Sequence, residues 1–97
     1  MQIVIIGDYE VVYSEGDDPA LVIHHVVRGH DAVTLGAADA AELGALLAVR
    51  QKRIRELGGY RLLLGAGGDM SFYDQLGRRA CYLTEEQGER LARLLAG

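Results

Sequence analysis

Two stretches of this chain keep one residue pattern in register at a separation of 48 positions. Gly29 matches Gly77, Ala32 matches Ala80, and Leu35 matches Leu83. Leu43, Leu46, Leu47 and Ala48 then match Leu91, Leu94, Leu95 and Ala96. A turn, a strand, a helix start and one apolar helix face are thus repeated without a gap. Duplication of one unit and convergence on a common strand-helix pattern both produce such a register. With 97 residues the chain has room for one domain. The expectation is therefore a single domain of two related halves, about 1–57 and 58–97.

The remaining pattern fills in the units. Gln2 to Ile6 is a β-branched run, Gly7-Asp8 a hairpin turn, and Tyr9 to Tyr13 a second strand. Ser14 to Pro19 is a loop, rich in residues that disfavour regular structure. Ala20 to Val27 reads as a third strand and Ala32 to Leu35 as a fourth. Leu43, Leu46, Leu47, Ile54 and Leu57 recur at helical spacing, which predicts a helix from about Ala37 to Leu57, ended by Gly58-Gly59. Strands follow at Tyr60 to Leu64, Asp69 to Gln75 and Arg79 to Leu83. Thr84-Glu85-Glu86-Gln87 has the form of a capping box before a last helix. The order ββββα-βββα predicts an α+β fold, an antiparallel sheet with two helices packed on one face.

Composition limits the function classes. The net charge of −4 disfavours nonspecific attraction to nucleic acid but leaves room for a local basic patch. One cysteine, Cys81, cannot form an internal disulfide, and no apolar run approaches the length of a membrane span. A cytoplasmic protein without membrane contact is the expectation. A small core gains from association, so a homodimer is expected as well.

No constellation of reactive residues stands out. His24 and His25 are neighbours in a strand and face opposite sides, so they do not form one metal site. Gly65-Ala66-Gly67-Gly68 leads into a strand instead of a helix and reads as a hairpin, not a phosphate loop. Cys81 matches Val33 in the repeat and reads as a small buried residue. Neither a cofactor nor a metal is implied. Catalysis would need His24 or His30 beside Asp31 in a deep pocket.

The sheet is more suggestive. Arg28, His30, Arg61, Tyr73, Arg78, Arg79 and Tyr82 come from strands and turns. Helices cover one face, which leaves the other to solvent or a partner. Arginines interleaved with aromatics on an open sheet can hold phosphates and stack bases.

The segment Arg79-Ala80-Cys81-Tyr82-Leu83-Thr84-Glu85-Glu86-Gln87 resembles the last strand and helix start of positive-cofactor-type transcription coactivators. Repeated strands followed by a helix are also similar to the Whirly and Pur-alpha type of single-stranded nucleic-acid-binding domain. The resemblance implies a sheet that binds single-stranded DNA or RNA, commonly in a dimer. The leading expectation is a non-enzymatic binding or regulatory module. Its sheet would contact single-stranded nucleic acid, with Arg61, Arg78 and Arg79 on phosphates and Tyr73 and Tyr82 on bases. The alternative is a protein-directed inhibitor or adaptor, of the kind phages and mobile elements encode. Glu15, Asp17 and Asp18 would then engage a basic partner surface.

Overall fold

A computed structural model describes all residues, 1–97. It contains two antiparallel sheets of four strands and two helices, in the order ββββα-ββββα. The first unit comprises β1 (Gln2–Ile6), β2 (Tyr9–Tyr13), β3 (Leu21–His25), β4 (His30–Leu35) and α1 (Ala37–Val49). The second comprises β5 (Arg53–Leu57), β6 (Tyr60–Leu64), β7 (Met70–Tyr73), β8 (Arg79–Leu83) and α2 (Glu85–Ala96). Each sheet is a meander whose strands neighbour one another in chain order. No helix is long and apolar enough to cross a membrane.

The α+β class and the helix-covered antiparallel arrangement agree with the sequence. The predicted helix from Ala37 to Leu57 does not. Helix α1 ends at Arg50, which adopts a left-handed conformation (φ 55°, ψ 49°). Arg53–Leu57 pairs with Tyr60–Leu64 as a strand, over a tight turn at Gly58-Gly59. Both turn glycines have positive φ, as a two-residue hairpin favours. Ile54 and Leu57 fall at helical distances from Leu47 by coincidence of period. The second unit therefore begins at Arg53, and what was expected as one sheet is two. The third strand also ends earlier than the expected Val27. Val26 and Val27 lie exposed in the following turn, and His30 and Asp31 already belong to β4.

The units repeat down to their irregularities. Each has a β-bulge between its third and fourth strands, at Ile23/His24 and at Phe72/Tyr73. The hydroxyl oxygen of Tyr9 in β2 accepts from the Tyr82 amide in β8 at 3.2 Å. That of Tyr60 in β6 accepts from the Thr34 amide in β4, also at 3.2 Å. Each unit thus ties its second strand to the other's fourth. The turns are reciprocal too: Gly7 abuts Gln87 at the start of α2, and Gly58 abuts Asp39 at the start of α1. The capping box at Thr84 and Gln87 forms as expected.

Buried side chains from both units form one cluster, with Phe72, Leu21, Ile23, Leu43, Leu62 and Leu91 at its centre. Every buried residue is apolar. Residues alternate along each strand, so Ile6, Val11, Ile23, Val33 and their counterparts Leu57, Leu62, Phe72, Cys81 fill the inner faces. The two outer faces stay uncovered.

Candidate nucleic-acid interface

The outer face of the second sheet is built by this alternation. Leu62 and Phe72 point inward, so their neighbours Arg61, Leu63, Ser71 and Tyr73 point outward. Strand pairing sets Glu56 beside Arg61, Arg61 beside Tyr73, and Tyr73 beside Arg79. This gives one cross-strand row, Glu56–Arg61–Tyr73–Arg79. The bulge at Phe72/Tyr73 shifts the register so that Arg79 lies close to Tyr82. The Arg79 guanidinium carbon is 5.0 Å from the Tyr82 ring centroid, within cation–π range.

The β7–β8 turn forms a rim over this face. Asp74 accepts from the backbone amides of Leu76 (2.9 Å) and Arg78 (3.0 Å) and from the Arg78 guanidinium (3.3 Å). These bonds, the Arg78 amide foremost, hold the Asp74 carboxyl below the usual carboxylate range. With Glu56, Arg61, Leu63, Tyr73 and Gln75, the turn encloses a depression of about 480 Å³. A second depression of about 340 Å³ runs along β8, where Arg28 and His25 of the first unit reach Arg79 and Tyr82.

Of the residues singled out in the sequence, Arg61, Tyr73, Arg79 and Tyr82 share this face. Arg78 stands at its rim, bound to Asp74. Arg28 comes from the β3–β4 turn of the first unit but lines the neighbouring depression. His30 stands apart, its ring stacked on His25 at 6.1 Å. Sequence reading missed Glu56, whose carboxylate accepts from the Arg61 guanidinium at 2.8 Å. The mistaken helix over Arg53–Leu57 hid it. Both partners are largely exposed, so the pair is weak and open to competition by another anion.

His24 Nδ1 lies 2.8 Å from Asp31 Oδ1 on the open outer face of the first sheet. Burial pushes the Cys81 thiol up to about 11, the opposite of what a nucleophile needs. No group of three or more His, Cys, Asp or Glu side chains converges as a metal site would require. No family model, no curated protein and no solved structure matches this chain.

Proposed function

We propose that the protein is a non-enzymatic binding module whose second sheet holds single-stranded nucleic acid on its outer face. The observation that carries this reading is the row Arg61–Tyr73–Arg79 with Tyr82 beside it. Bases stack on Tyr73 and Tyr82, and the guanidinium groups of Arg61 and Arg79 take the phosphates. Arg78 at the rim and Arg28 along β8 extend the positive path. Glu56 releases Arg61 when a phosphate replaces it.

The test is fluorescence anisotropy of a labelled single-stranded oligonucleotide at several salt concentrations. Binding should weaken linearly on a log–log plot. Each of Arg61→Ala and Arg79→Ala should make the slope shallower by about 0.7, as one lost phosphate contact on a single strand does. Absence of binding at low salt, or slopes that both variants leave unchanged, would overturn the reading.

A protein-directed inhibitor or adaptor is the second reading. It draws on the first sheet, whose outer face is apolar and acidic where the second sheet is aromatic and basic.

A further inference from the structure

The two outer faces occupy equivalent places in the repeat and carry opposite charge. In the second sheet the bulged row is Arg61–Tyr73–Arg79. In the first sheet the same row is Glu10–His24–Asp31. Glu10 stands where Arg61 stands, His24 where Tyr73 stands, and Asp31 where Arg79 stands. Ile5 ends that row on β1, where Glu56 ends the other on β5, and beside the row lie Ile3, Val12 and Val22. Ile3 is 57% exposed and Ile5 is 53% exposed. The corresponding flank of the second sheet holds Ile54, itself 68% exposed, with Leu63 and Tyr82.

We infer that the outer face of the first sheet docks onto the outer face of the second sheet in another copy of this chain, head to tail. The occupant follows from charge and spacing. Glu10 and Asp31 lie two strands apart, and so do Arg61 and Arg79, roughly 10 Å in both cases. Two such sheets laid face to face, strands antiparallel and in the same order, bring Glu10 to Arg61 and Asp31 to Arg79 together. His24 then meets Tyr73, Ile5 lies against the stem of Glu56, and the apolar flanks fall on opposite sides of the row. The existing partners, a half-buried His24 for Asp31 and an exposed Glu56 for Arg61, form pairs open to solvent on at least one side and therefore weak. Pairing two first sheets would set acid against acid, and pairing two second sheets would set arginine against arginine.

Two consequences follow from the geometry. A head-to-tail contact does not close on itself, so mass should grow with concentration instead of stopping at a dimer. The contact is also small. A face four strands wide and five residues long covers roughly 14 by 16 Å, less than the ~800 Å² per partner of a standard interface. The association is therefore weak and salt-sensitive. It uses the face proposed for nucleic acid but does not rest on that proposal, because its test contains protein alone.

The experiment is analytical ultracentrifugation of three proteins: the unchanged chain, the Glu10→Arg/Asp31→Arg variant, and the Arg61→Glu/Arg79→Glu variant. The unchanged chain should show a weight-average mass that rises with concentration and falls with added salt. Each variant alone has two faces of like charge and should stay monomeric. Mixed, the variants still possess one intact acidic face and one intact basic face between them. The other two faces, with their charges exchanged, are opposite in sign as well, so the mixture should form a complex whose mass again rises with concentration. That complex also shows that both variants are folded. A monomeric unchanged chain at every concentration would overturn the inference. So would association that survives either charge reversal, or a mixture that stays monomeric.

Discussion

Replacing Gly88 with alanine should destabilise the protein by about 3 kcal/mol, the upper range for an overpacked site, and lower its Tm by more than about 10 °C. On an open helix the same change would stabilise by about 1 kcal/mol, because alanine is the better helix former. Gly88 is not on an open surface. It is buried inside α2, where a β-carbon would overlap the Gly68 carbonyl oxygen and crowd the Met70 methyl group at 3.2 Å. The obstacle is the Gly68 backbone, which cannot swing aside as the end of a flexible side chain could. Gly44→Ala is the matched control. A β-carbon there would meet Leu95 at 3.5 Å, an ordinary contact, and the equivalent residue in α2 is already Ala92. Thermal melts should therefore give the two substitutions opposite signs. A neutral Gly88→Ala would mean that the β6–β7 loop does not approach α2 this closely.

The Tyr73→Ala/Tyr82→Ala variant should bind single-stranded oligonucleotides about a hundredfold more weakly. Each stacked base contributes about 1–3 kcal/mol by alanine substitution, and two rings lie on the proposed face. The salt slope should stay where it was, because no charge is removed. Phenylalanine at both positions keeps the stacking surface and should restore affinity. Affinity and salt slope thus report on separate groups: the tyrosines set the first without the second, and the arginines move both. Unchanged affinity in the double alanine variant, with an unchanged melting curve, would remove the bases from this face.

Much of the fold was legible because period carries it. Strands with alternating apolar residues, the Thr84 cap and the apolar stripe of α2 all appear as the sequence implies. Strand β5 was not legible. Arg53-Ile54-Arg55-Glu56-Leu57 has only two apolar residues, and their spacing continues the helical run from Leu43. What decides it is tertiary: Arg50 turns left-handed, and the strand finds its hydrogen bonds in β6. Half of the repeat was missed with it, since the register of 48 residues holds only from the fourth strand onward. The hairpins β1–β2 and β5–β6 correspond at a different offset, with Ile6 matching Leu57 and Tyr9 matching Tyr60.

The candidate face was legible in its residues but not in its arrangement. Arginines and tyrosines could be named from the strands, yet a bulge shifts every following residue by one face. Only the register at Phe72/Tyr73 brings Arg79 to Tyr82 and sets the row with Tyr73. The matching bulge at Ile23/His24 creates the acidic row on the other sheet. That row is not visible in the sequence, where Glu10, His24 and Asp31 lie on three separate strands.

The central claim is that two sheets of like construction have unlike outer faces, and that only the second holds nucleic acid. Amide chemical-shift mapping by NMR during titration with a single-stranded oligonucleotide tests it directly, at a protein concentration low enough to keep the chain monomeric. The expected result is a set of shifts confined to Arg61, Leu63, Tyr73, Arg79, Tyr82 and the β7–β8 turn, with Ile3, Val12 and Val22 unmoved. Shifts on the first sheet, shifts spread equally over both, or no shifts at all would contradict it.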